Sequence, residues 1–148
     1  AEVLPFAIVD SDQVRKILFP ACEYSAEESQ WVHRTCHAVM ERLLEKGVRV
    51  IYDATNLQER HREQVYRLAD GKEIRLVIVK VVTPQEVISD RLHNRHETPQ
   101  NERDISDADW GVFQRMARQV DPISRSYIVV DTSQDLDATI TRLLRLVR

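Results

Sequence analysis

Asp12 and Arg15 stand three residues apart, just after a short apolar run, residues 6–9, that ends in Asp10-Ser11-Asp12. On a first helical turn this spacing sets a carboxylate beside a guanidinium. The carboxylate can take a proton from a substrate hydroxyl, and the guanidinium can grip an anion by two parallel hydrogen bonds. The same spacing also suits a surface ion pair. A second polar group follows residues 48–52: Asp53, Thr55 and Asn56, then Arg60, His61 and Arg62. Thr83 follows a third apolar run, and Asp131-Thr132-Ser133 a fourth. Ser11, Asn56, Thr83 and Ser133 have a plainer role as helix caps. Arg91 and Arg95 are four apart, so they share a helix face, where a bound polyanion would relieve their mutual repulsion. A solvated basic face is the alternative. His33 and His37 have the spacing of a metal pair, but no glutamate follows His33 and no third ligand is evident.

The elements that must position these groups follow from periodicity. Residues 6–9, 48–52, 74–82 and 127–130 are near-continuous apolar runs, rich in β-branched residues, as buried strands are. Between them, apolar residues recur at helical spacing. Ser11 is placed to cap a helix carrying Val14, Ile17 and Leu18. Ser25 and Glu28 have the spacing of a capping box, opening a helix with Val32, Cys36, Val39, Met40 and Leu43 inward and Gly47 after its end. Thr83-Pro84-Gln85-Glu86 is a further helix start. Ser106 and Asp109 open another helix, and Leu136, Ile140, Leu143, Leu144 and Val147 line a terminal one. Alternating strands and helices predict an α/β fold, a parallel sheet with helices on both faces. In such sheets ligands bind beyond the carboxyl ends of the strands, where the polar groups above fall.

The 148 residues suffice for one domain, so residues 1–148 are expected to form a single unit. Hydrophobic residues make up 43% and charged residues 30%, ordinary values for a globular chain. A net charge of -3 argues against indiscriminate nucleic-acid binding, which needs a broad positive surface. Two cysteines make no disulfide framework, and no apolar run reaches the length of a membrane span. Reduced thiols in a cytoplasmic protein are expected.

Residues 9–15, Val-Asp-Ser-Asp-Gln-Val-Arg, resemble the S-D-x-x-R substrate segment of small P-loop kinases. Residues 50–57, Val-Ile-Tyr-Asp-Ala-Thr-Asn-Leu, resemble their D-x-T-N strand end. The pair Arg91 and Arg95 resembles the lid arginines of that group, in a lid segment at about 91–106. The group includes the kinase domains of polynucleotide kinases and the zeta toxins, and the similarity runs through nearly the whole chain. It implies a phosphotransferase using ATP and Mg2+ on a hydroxyl acceptor, with the 5′-hydroxyl of a nucleic acid as the first candidate. Asp12 is implied as general base, with Arg91 and Arg95 acting on the transferring phosphoryl group. Ser11, Arg15, Asp53, Thr55, Asn56 and Arg62 are implied as substrate-binding, and Asp53 as reaching the magnesium through water.

The group's phosphate loop, G-x-x-x-x-G-K-[ST], does not occur in the sequence. No glycine precedes Gly47, and the one Gly-Lys pair, Gly71-Lys72, is followed by Glu73. The chain is therefore expected to be a kinase piece lacking its first strand, loop and helix, and inactive alone. A strand from another chain or a rearranged sheet are the alternatives. Open strand edges also imply self-association. The competing functions are a non-catalytic binding or dimerising module and a small-molecule kinase.

Overall fold

The computed structural model describes residues 6–97 and 108–147, and the side chains of 95–97 lie outside that description. The chain divides into two compact units, Ala1–Asn56 and Leu57–Arg148.

In the first unit, β1 (Phe6–Asp10) leads into α1 (Ser11–Leu18), then α2 (Ala26–Glu45) and β2 (Arg49–Asp53). The two strands pair in parallel, with Ile8 opposite Ile51 and Asp10 opposite Asp53. Side chains alternate between the two faces of a strand pair. Val9 and Tyr52 therefore point one way, toward α2, and Ile8 and Ile51 the other. On α2, Glu28, Val32, Cys36 and Met40 are buried at intervals of four, a single stripe over the strands. Burying Val32 and Met40 stabilises the unit by roughly 1.5–3 kcal/mol each. Val39, expected inward, lies off this stripe and is exposed. Gly47 ends the helix region at φ +71, a left-handed backbone that a side chain would strain.

The junction of α1 and α2 is built on Glu28. Ser25 Oγ accepts from the Glu28 backbone N–H at 3.1 Å, the expected half of a capping box. The Glu28 carboxylate reaches further back than expected. It accepts from the backbone N–H groups of Glu23 at 2.9 Å and Tyr24 at 2.7 Å, and from Arg15 Nη1 at 3.2 Å. These contacts bridge a turn in which Tyr24 adopts φ 54. The Glu23 N–H above all, with Tyr24 N–H and Arg15, holds the Glu28 carboxyl below the usual glutamate range.

In the second unit, α3 (Glu59–Gly71), β3 (Val79–Val82), α4 (Gln85–Glu97), α5 (Trp110–Ala117), β4 (Ile128–Asp131) and α6 (Asp137–Leu146) follow in order. Strands β3 and β4 pair in parallel, Val79 opposite Ile128 and Val82 opposite Asp131. β3 is shorter than the apolar run 74–82 suggested. Ile74 N–H still bonds the Ala69 carbonyl at the end of α3, and β4 offers only four residues to pair with. Asp109 caps α5 as expected, accepting from Val112 N–H at 2.7 Å. Ile140 and Leu144 of α6, expected inward, are exposed.

Arg62 is the buried hub of this unit. Its guanidinium pairs with Glu59 and donates to the carbonyls of Leu57, Asp121 and Pro122, each at 2.8 Å. Asp121 in turn accepts from Glu59 N–H at 2.9 Å and so caps α3 from far along the chain. No side chain adjacent to the helix does so.

Two outcomes are expected. Arg62→Lys cannot satisfy three carbonyls and a carboxylate together, and should destabilise by roughly 3 kcal/mol in urea unfolding, because it strands buried acceptors. A change under about 0.5 kcal/mol, the range of ordinary surface substitutions, would remove the hub role. Glu28 should contribute stability above the ordinary glutamate pKa of 4.5, lost as pH falls through its lower folded value. Melting temperature followed against pH should therefore fall less steeply below that value in Glu28→Gln than in the parent chain; parallel curves would count against it.

Candidate functional site

The carboxyl ends of β1 and β2 gather three carboxylates. In-register pairing sets Asp10 beside Asp53, on strands about 4.8 Å apart. Asp10 also caps α1: its Oδ1 accepts from Asp12 N–H at 2.8 Å and Gln13 N–H at 3.1 Å. Sequence reasoning assigned that cap to Ser11, which is instead the first helical residue. The shift by one residue follows from Asp10 having extended backbone at the end of a paired strand, the geometry a cap needs. It also brings Asp12 onto the first turn, held by the same side chain that stands beside Asp53.

Burial raises the Asp12 carboxyl above the usual aspartate range, and Asp10 pushes it the same way, against a smaller pull from Arg15; Asp53 adds a weaker push and Lys16 a weaker pull. Asp53 is raised too, by burial and then by Asp10. A carboxylate whose charge is disfavoured is a stronger base, which is what proton abstraction from a hydroxyl requires.

Arg15 lies on the same helix, with its guanidinium engaged elsewhere. It donates to Glu28 at 3.2 Å and to Ser29 Oγ at 3.3 Å, and sits 4.9 Å from the centre of the Tyr24 ring. Only 12% of its side chain is exposed. Thr55 is exposed after β2, and Asn56 adopts φ 42. Behind the carboxylates, His33 Nδ1 lies 3.3 Å from the Tyr52 hydroxyl, and His37 meets the Tyr52 ring edge-on. The histidine pair thus flanks a tyrosine, and among the described residues no three His, Cys, Asp or Glu side chains form a metal-binding group. Cys36 is fully buried beneath, its thiol pushed up to about 11 chiefly by that burial.

In the second unit the strand ends are clasped by a different set. Thr83 Oγ1 and Thr132 Oγ1 lie 2.6 Å apart across β3 and β4. Arg91, from α4, donates to Thr132 Oγ1 at 3.0 Å and to the Thr132 carbonyl at 2.8 Å. Asp131 accepts from Ser133 N–H and Oγ, which with Arg91 hold its carboxyl below the usual range. Arg95 lies on α4 with its side chain outside the described set, and the expected lid beyond Glu97 falls on residues 98–107, also outside the described residues. Arg62 sits at the hub described above, apart from this clasp.

The structure therefore brings Asp10, Asp12 and Asp53 together in one unit, and Thr83, Arg91, Asp131 and Thr132 in the other. Asp10 and Thr132 were visible in the sequence only as strand-end polar residues. Their partners depend on which strands pair.

Solved structures with this fold include three of named kinases. A kinase-designated protein of Chloroflexus aurantiacus aligns over 95% of this chain and 83% of its own, at 14% identity and a TM-score of 0.70. The Mycobacterium tuberculosis APS kinase, solved with AMPPNP and APS, aligns over 97% and 80%, at 16% identity and a TM-score of 0.64. A sugar kinase from Janibacter aligns over 95% and 78%, at 18% identity and a TM-score of 0.61. No curated protein matches the chain. The family model described as an AAA domain matches residues 1–123, most of the sequence. This match, over most of the sequence, makes the chain a member of the AAA domain family, with a fold similar to that of the kinases above.

Proposed function

We propose that this domain belongs to an ATP-dependent phosphotransferase and supplies its acceptor side, with Asp12 as the general base for an acceptor hydroxyl. The observation that carries the reading is the place of Asp12 on the first turn of α1, at the carboxyl end of a parallel strand, its N–H bonded to Asp10, which stands in register beside Asp53. Asp12 would take the hydroxyl proton as the oxygen attacks. Ser11, Thr55 and Asn56, near the same strand ends, would orient the acceptor. Asp53 is a hard oxygen donor of the kind Mg2+ takes. It would reach the ion through water. Arg91 and Arg95 would offset charge on the transferring phosphoryl group, which is most of what this chemistry asks of a protein. In this structure Arg91 is held by Thr132, so that role requires it to leave the clasp.

The acceptor is more fittingly a small hydroxyl-bearing molecule than a nucleic-acid 5′ end. Arg15, the group expected to hold an acceptor phosphate, is committed to Glu28 and Ser29, and Arg62 to its hub. The structural neighbours named for their substrates, an APS kinase and a sugar kinase, act on small molecules. A panel of sugars, nucleosides and 5′-hydroxyl oligonucleotides separates the two, and phosphorylation confined to the oligonucleotides would reverse the preference.

The motif G-x-x-x-x-G-K-[ST], whose loop cradles the nucleotide's β- and γ-phosphates and is a main source of nucleotide affinity in such folds, does not occur in these 148 residues. The chain by itself is expected to bind ATP weakly. Calorimetric titration should give no saturable heat in the low micromolar range; tight binding there would end this part of the proposal.

Asp12→Asn carries the second test. The charge on Asp12 is disfavoured in the folded chain, so above the ordinary aspartate pKa of 3.8 it costs stability, and the cost disappears as pH falls and the group protonates. The asparagine variant should therefore melt higher than the parent chain at neutral pH, and the gap should close in acid. In a protein that also carries a phosphate loop, the same change should cost on the order of 10² to 10⁴ in turnover. Unchanged turnover would remove Asp12 as the base. A lower melting temperature at neutral pH would instead mark it as a first-turn carboxylate that favours the helix dipole.

A further inference from the structure

We infer that Glu28 is a positioning residue for Asp12: it holds the Arg15 guanidinium on α2 and so prevents an Asp12–Arg15 pair from closing on α1. Asp12 and Arg15 stand three residues apart on one helix, a spacing that lets a carboxylate and a guanidinium meet. Of residues 11, 12, 18 and 19, the helical neighbours of Arg15 at three and four positions, only Asp12 carries a carboxylate. A guanidinium bonded to Asp12 would favour its charge and occupy the oxygens that a substrate hydroxyl must reach. In the structure that guanidinium turns to α2 instead. Its Nη1 donates to Glu28 Oε2 at 3.2 Å and its Nη2 to Ser29 Oγ at 3.3 Å. The side chains of Arg15 and Glu28 are only 12% and 10% exposed, so residues of the first unit already enclose the pair.

Glu28 also arranges the other groups around that guanidinium. Its Oε2 accepts from the Tyr24 N–H at 2.7 Å as well as from Arg15, and its Oε1 from the Glu23 N–H at 2.9 Å. These bonds fix the turn in which Tyr24 has φ 54, and that turn sets the tyrosine ring 4.9 Å from the guanidinium carbon. Ser29, the next residue on α2, is held by donating Oγ to the Ser25 carbonyl at 2.9 Å. A neutral side chain at position 28 could still accept an N–H, but it would offer the guanidinium no opposite charge. The charged groups acting on Asp12 are Asp10 from β1, Asp53 from β2, and Arg15 and Lys16 from α1. Arg15 pulls on Asp12 less than Asp10 pushes, as suits a guanidinium engaged elsewhere. The functional meaning of the inference rests on the reading of Asp12 as the general base, whereas the position of Arg15 can be measured without it.

Carbon-13 NMR of the Asp12 carboxyl, followed against pH in the 148-residue chain, provides the test without any turnover. Glu28→Gln should release Arg15 toward Asp12 and lower the pH at which Asp12 titrates, because a nearby guanidinium favours the charged form. Ser29→Ala removes only the second acceptor of Arg15. It should shift the Asp12 midpoint the same way by less, and it carries the test if Glu28→Gln does not fold. In an Arg15→Met background the shift caused by Glu28→Gln should be lost, since no guanidinium is left to release. Circular dichroism confirms that each variant is folded. An Asp12 midpoint that stays unchanged or rises in every folded single variant, Glu28→Gln and Ser29→Ala, overturns the inference. So does a fall that persists in full in the Arg15→Met background, which would mark Glu28 as acting on the helix junction alone. Full turnover of Asp12→Asn in a protein that carries a phosphate loop would instead end the general-base reading, and the NMR result would still decide the place of Arg15.

Discussion

The in-register parallel pairing of β1 with β2 is the constraint from which the first unit follows. It sets Asp10 against Asp53 at one end and Arg49 beside Phe6 at the other. Asp10 brought beside Asp53 in this way disfavours the charge on Asp53, and Asp12 is drawn into the same field because Asp10 also caps its helix. A slip of one residue would send Asp53 to the opposite face and separate the two carboxylates. The chemistry proposed for Asp12 therefore rests on a backbone register fixed from beneath by Val9, Val32, Cys36 and Met40.

Charged residues divide in this molecule between chemistry and architecture, and burial of their partners tells them apart. Arg15 and Arg62 are both arginines in basic or polar stretches, and both are nearly enclosed. Each is surrounded by acceptors that have lost their water: two carboxylate contacts and a hydroxyl around them, and three carbonyls at Arg62 alone. Removing such a guanidinium strands those acceptors, so these positions hold the chain together whatever else they do. Asp12 has the opposite character. Its surroundings oppose its charge, and a group kept at a cost to stability is where function is looked for.

The clasp at the ends of β3 and β4 has a comparable logic in the second unit. Thr83 and Thr132 meet because their strands are parallel and end together, and Arg91 closes the arrangement from α4. The hydroxyl pair satisfies strand-end groups that would otherwise face water, and the arginine neutralises the neighbourhood of Asp131. Whatever ligand displaces Arg91 must offer it an acceptor at least as good as a carbonyl and a hydroxyl together.

The sequence by itself determined the alternation of strands and helices, because apolar runs and helical spacing are local properties of the chain. It also marked Ser25, Asp109 and Gly47 correctly, since caps and left-handed turns are satisfied by neighbours a few residues away. It pointed to the strand ends as the polar places, with Asp12 and Asp53 among them. It could not say that Glu28 would hold Arg15, that Asp121 would cap α3, or that the run 74–82 would pair only from Val79. Those outcomes belong to tertiary structure. A guanidinium chooses among all acceptors the fold brings within reach, and a strand is only as long as its partner. Spacing along the chain announces which groups can act, and the folded contacts decide which of them are already engaged.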